Sequence, residues 1–171
     1  MTFTGHPEID PEEENEELGL HGRVSFLPAK QVHTDGSWEG DEYVIRVRGK
    51  MREAVAFGTN LELTREISTV LGEKCFRIHD QIHNQSVERS PLMYVYHCNP
   101  GFPILDEGSR VVVNSEKTTE WTEDRVVGPE AYGTAGAPAQ EAHDEVYVHR
   151  PVADADGNVW VALCLTKSYH S

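Results

Sequence analysis

The chain has 171 residues, 38% of them hydrophobic, and a mean hydropathy of -0.51, which suits one ordinary soluble domain with a core of its own. A formal net charge of -14 argues against nucleic acid and against an anionic membrane surface, and leaves a neutral small molecule open as a partner. No apolar run approaches the roughly 20 residues needed to cross a bilayer. Cys75, Cys98 and Cys164 are too scattered to frame disulfides or a zinc knuckle, so a reduced, cytoplasmic setting is expected.

Residues 1–17 carry a self-repelling acidic run from Glu8 to Glu17, show no signal-peptide pattern, and are predicted to form a disordered arm. Residues 18–171 read as a single domain of short β-segments, each closed by a turn signal. Arg23 to Leu27 precedes Pro28. Tyr43 to Arg48 is rich in β-formers and ends at Gly49. From Phe57 to Ile67 the residues alternate, with Leu61, Leu63 and Arg65 on one face and Glu62, Thr64 and Glu66 on the other. Further segments run from Cys75 to His83, Leu92 to His97, Arg110 to Asn114 and Glu145 to His149. The last, Val159 to Leu165, follows an Asp156–Asn158 turn. Gly128 to Ala139 reads as a long irregular loop. Apart from a turn near Gln31, no window repeats its apolar residues with the helical period. The predicted class is all-β, a sandwich or a barrel.

Chemistry concentrates in Tyr94-Val-Tyr-His97-Cys-Asn99-Pro-Gly101-Phe-Pro103, followed by Asp106 and Glu107. On an extended segment His97 and Asn99 share a face, with the small Val95 before them. Pro100 and Pro103 stiffen the exit, and an imidazole beside such a loop is equipped for proton transfer near neutral pH. Leu20-His21-Gly22-Arg23 adds a titratable group and a fixed cation whose guanidinium can hold a hydroxyl or carboxylate. By spacing alone a surface turn is the favoured reading.

His79, Gln81 and His83 share one strand face, and Asp80, Ile82 and Asn84 the other. Two histidines four residues apart on a strand stand roughly 13 Å apart, too far for one metal ion. His143, Asp144, Glu145 and His149 read as a solvated acidic loop entering a strand. Glycine-rich phosphate loops, the nucleophile elbow and the helical zinc motif are all absent from the sequence.

These blocks resemble the aldose 1-epimerase-like (galactose mutarotase-like) family, in the branch whose function is mostly unassigned. The resemblance is carried by Leu20-His21-Gly22-Arg23 with Pro28-Ala29, by Arg77 to Asn84, by Pro91 to Gly108, and by Glu145 to His149 with Ala153 to Gly157. It implies a β-supersandwich with a carbohydrate cleft and no cofactor. His97 would then protonate the ring oxygen and His21 would line the sugar. Arg23, Arg65, Asp80 and Asn99 would hold hydroxyls. The family's strands before the His-Gly-Arg element, and the late block bearing its base glutamate, have no counterpart here. Glu107, Asp144 and Glu145 are the carboxylates that could face His97. An incomplete sandwich also leaves strand edges unpaired, which favours a homo-oligomer.

Three readings follow. The first is a sugar epimerase acting through His97, and the second a sugar-binding remnant without turnover. The third is a cupin-like metal-binding barrel suggested by the nine histidines, although the clustered spacing such a site needs is missing.

Overall fold

The computed structural model describes residues 2–3, 22–55, 58–90, 92–140 and 145–165. The chain divides into two units, Met1–Cys98 and Asn99–Ser171. Among the described residues no helix is long and apolar enough to cross a membrane.

The first unit is built on a four-stranded antiparallel sheet of β2 (Lys30–Glu39), β3 (Glu42–Ala54), β4 (Asn60–Val70) and β5 (Arg77–Asn84), paired in that order. A two-residue Gly40–Asp41 loop closes the first hairpin, and Gly40 takes the positive φ of 63° that such a loop needs. Gly36 serves a different end. A Cβ there would meet the Tyr43 hydroxyl at 2.6 Å, so its absence lets the Tyr43 ring cross the neighbouring strand. A short β1 (Thr2–Phe3) pairs with β6 (Tyr94–Val95).

The two faces of the large sheet differ sharply. One carries Arg46 paired with Glu39, Arg48 with Glu66, and Lys50 with Glu62 at 2.9 Å, opposite charges facing each other across strands. His79, Gln81 and His83 alternate onto this face. The other face bears the core: Leu61 and Leu63 from β4 pack with Val24, and Met51, Ile82 and Tyr94 close around them. Register explains the grouping, because Met51 and Ile82 stand on either side of Leu63, which is 1% exposed.

Several expectations are corrected. Arg23 to Leu27 holds a 3-10 turn over Val24–Phe26 rather than a strand, which carries Val24 down onto Leu61 and Leu63. Gln31 lies inside β2, at a register shift with φ of 51°, and makes no separate turn. Strand β3 runs through Gly49 because β2 and β4 hold it on both sides. Leu92 to His97 contracts to Tyr94–Val95. The strands over Lys30–Glu39 and Ser115–Glu120 escaped notice, since neither shows the apolar alternation that marks a half-buried strand.

The second unit contains β7 (Arg110–Val113), β8 (Ser115–Glu120), β9 (Arg125–Val126), helix α1 (Pro129–Tyr132), β10 (Tyr147–Pro151) and β11 (Val161–Cys164). They form a three-stranded sheet, β10-β8-β9, and a two-stranded one, β11-β7. Among the described residues no sheet closes into a barrel. The expected irregular loop after Gly128 holds α1 and a bridge from Thr134 to Arg110. The turn expected at Asp156–Asn158 is present: Asp154 accepts from the Asp156 and Asn158 amides at 3.0 and 2.8 Å and from Trp160 Nε1 at 3.0 Å.

His149 sits in this unit opposite Thr118, which is 4% exposed. The Thr118 and Ser115 hydroxyls lie 3.0 and 3.2 Å from its Nδ1, and the Tyr132 ring meets it edge-on at 4.6 Å. Burial disfavours the charged ring and lowers the pKa of His149. The unfolded state therefore binds its proton first as pH falls. The stability His149 contributes is present above the ordinary histidine value of about 6.5 and is lost below it. Chemical denaturation between pH 8 and 5 is expected to show a decline in wild type that flattens in His149→Gln. Parallel declines in the two proteins would assign the acid sensitivity to another group.

Candidate functional site

The polar centre of the first unit lies beside its core, on the same sheet face. Alternation along β4 carries Leu61, Leu63 and then Arg65 to this face. In β5 Asp80 stands directly opposite Arg65, as Ile82 stands opposite Leu63. The pairing is bidentate: Arg65 Nε donates to Asp80 Oδ1 at 2.7 Å and Nη2 to Oδ2 at 2.6 Å. The side chains are 17% and 4% exposed, so this is an ion pair withdrawn from water.

Two tyrosines complete it. Tyr94, held in β6 and packed on the core, donates to Asp80 Oδ2 at 2.6 Å and accepts from Arg65 Nη2 at 2.8 Å. Tyr96 also donates to Oδ2 at 2.6 Å. Its ring stands edge-on to Tyr94 at 5.0 Å, with the Arg65 guanidinium 5.8 Å from the ring centre. Unlike the other three, Tyr96 is open to solvent, at 51% exposure.

Burial alone would push the Asp80 carboxyl up, but the hydrogen bonds from Arg65, Tyr94 and Tyr96 outweigh it and hold the pKa below the usual value. Burial likewise opposes the Arg65 charge, and Asp80 more than compensates, so its pKa is raised. Burial, then the bond to Asp80, raises both tyrosines, which stay protonated donors. Asp80 is thus a fixed anion with its acceptor sites committed. It orients its neighbours and is poorly suited to take up a proton. The donors of Arg65 engaged here are Nε and Nη2.

Arg23 lies on the same face, two rows of the register away, where its Nη1 donates to Glu53 Oε1 at 2.8 Å. The second oxygen, Glu53 Oε2, is buried and accepts no hydrogen bond from the described residues. His97 is exposed one residue beyond Tyr96, at the end of the first unit. Asn99, Glu107 and Glu145 belong to the second unit and are exposed, and Glu145 accepts from the Tyr147 hydroxyl at 3.1 Å. His21 and Asp144 lie outside the described residues.

The structure therefore joins Arg65 to Asp80 and adds Tyr94, Tyr96 and Glu53, which sequence reasoning missed. The Tyr94-Val-Tyr96 spacing was the available signal for two of them, but attention fell on the opposite parity, Val95 with His97. Among the described residues no cluster of three His, Cys, Asp or Glu side chains is placed to hold a metal ion.

An all-β chain with an Arg–Asp–Tyr–Tyr centre on an open sheet defines the class, and comparison with known proteins gives it a place. The chain is similar to a crystal structure described as "a putative aldose 1-epimerase from Klebsiella pneumoniae subsp. pneumoniae MGH 78578", with a TM-score of 0.78 and 26% identity. The match covers 85% of this chain and 38% of that one, so the chain spans well under half the length of its structural relative. The fold is an aldose 1-epimerase-like β-sandwich. Residues 1–169 match the family described as Domain of unknown function (DUF4432), and the chain belongs to it. No curated protein matches it.

Proposed function

We propose that this chain binds a carbohydrate on the first unit, with the exposed Tyr96 ring as the platform for a sugar face. The observation that carries the reading is the placement of Tyr96. An exposed aromatic ring is tied through its hydroxyl to a buried ion pair, and the Arg65 guanidinium lies over it. Sugars present apolar C–H faces and hydroxyl rims, and an aromatic ring beside fixed polar groups matches both. The likeness to a structure described as "a putative aldose 1-epimerase" supports the same substrate class.

Epimerase chemistry is the further step of the reading. His97 donates a proton to the ring oxygen while a solvent water takes the proton of the anomeric hydroxyl, and both protons return on reclosure. The ring C–O bond opens to a free carbonyl, which rotates and recloses.

Binding is tested by titrating the chain with a panel of aldohexoses while following chemical shifts or intrinsic fluorescence. Saturable binding is expected, and Tyr96→Ala is expected to weaken it about three- to tenfold through loss of the ring contact. A flat response to every aldose in wild type would remove the carbohydrate reading altogether.

A further inference from the structure

The face of the large sheet that carries the core does not stay covered along its whole length. Beyond Arg65 and Asp80 the same alternation brings Val47, Ile67 and Ile78 into one row across three strands, each 38–41% exposed. Further along the same face Ile45 is 39% exposed, and Trp38, opposite Tyr43, is 70% exposed. The other strand residues of this face at this end, Thr34, Gly36, Tyr43 and Thr69, are uncharged. Every Arg, Lys, Asp and Glu of β2 to β4 at this end falls on the opposite face, in the ion-pair lattice described above.

From this we infer that a second copy of the chain covers this apolar face, the two large sheets packing face to face as a two-fold dimer. The inference rests on the sheet alone and not on the proposed sugar site. Size is the first argument. At these exposures the five large apolar side chains leave on the order of 500 Å² open on each copy, at the upper end of the patch size that monomers usually carry. A pair would bury about 1,000 Å², the lower bound for a specific interface.

Self-complementarity is the second. A two-fold interface sets a surface against itself, so any unpaired charge on it would meet its own like. The strand residues at this end of the face carry none, in a chain whose formal net charge is -14. Shape is the third. Sheets joined through apolar inner faces pack about 10 Å apart with strands nearly aligned, and the β-branched row of Val47, Ile67 and Ile78 is suited to interdigitate at that distance.

Sedimentation of the full chain at micromolar concentration tests the inference. Wild type is expected to run at twice the chain mass of 19.2 kDa, with a thermal midpoint that rises with protein concentration. Ile67→Glu puts a charge at the centre of the face and is expected to weaken association at least about a hundredfold. Ser68→Glu, one residue along on the charged face, should leave the dimer intact. If Ile67→Glu does not fold by circular dichroism, Val47→Thr with Ile78→Thr keeps strand propensity and is expected to yield a folded monomer. A wild-type chain that sediments at the single-chain mass overturns the inference, whatever else occupies the face. So does a dimer that Ser68→Glu dissolves as readily as Ile67→Glu, or that the threonine pair leaves unchanged.

Discussion

Asp80→Ala is expected to cost the first unit about 3–5 kcal/mol, the range found when one partner of a buried ion pair is removed. The cost is large because the damage is not confined to one bond. Asp80 accepts from Arg65, Tyr94 and Tyr96 at 2.6 to 2.7 Å, and without it a guanidinium only 17% exposed is left without its counter-ion. Asp80→Asn should cost less, since one oxygen still accepts. Arg65→Met with Asp80→Leu should recover much of the loss, because two apolar groups of similar bulk leave no stranded charge.

The pH dependence has a definite sign. The folded-state pKa of Asp80 is lowered, so its contribution is fully present above the ordinary aspartate value of about 3.9 and is lost as pH falls through the lower folded value. Urea unfolding of wild type and Asp80→Ala should therefore differ most near neutrality and converge in acid. A difference under about 1 kcal/mol at pH 7 would mean that the cluster is a surface feature and holds nothing together.

His97→Ala addresses the chemistry. If His97 protonates the ring oxygen, mutarotation of a freshly dissolved aldose, followed by optical rotation, should slow about 10²- to 10⁴-fold relative to wild type, the usual contribution of a positioned acid. Sugar binding through Tyr96 should survive the substitution, since His97 takes no part in the bonds that fix that ring. Catalysis and binding are thereby separated: loss of rate with retained binding supports the epimerase. Saturable binding with no wild-type acceleration leaves a binding protein. Equal acceleration by both proteins would show that His97 is not the acid.

The sequence by itself determined the class of fold and the surroundings of the site. Short β-forming segments between Gly and Pro signals pointed to an all-β chain, and the two-residue alternation of Leu61, Leu63 and Arg65 already set those three on one face. The blocks around Asp80 and His97 carried the resemblance to the epimerase-like family. These features are local, and local periodicity is visible in a sequence. Strands β2 and β8 were not legible: β2 is exposed along nearly its whole length and β8 is polar at every position, so neither carries an apolar alternation.

Only the tertiary structure decided which groups meet. Arg65 and Asp80 were both singled out as hydroxyl-binding residues, yet nothing in their spacing says that they face each other. That follows from the β4–β5 register, which a one-residue slip would have undone. Tyr94 and Tyr96 reach Asp80 only because β6 crosses the same face, and Glu53 meets Arg23 across thirty residues of chain. The exposed row of Val47, Ile67 and Ile78 is of the same kind. Each residue reads alone as ordinary strand composition, and pairing across three strands turns them into one surface.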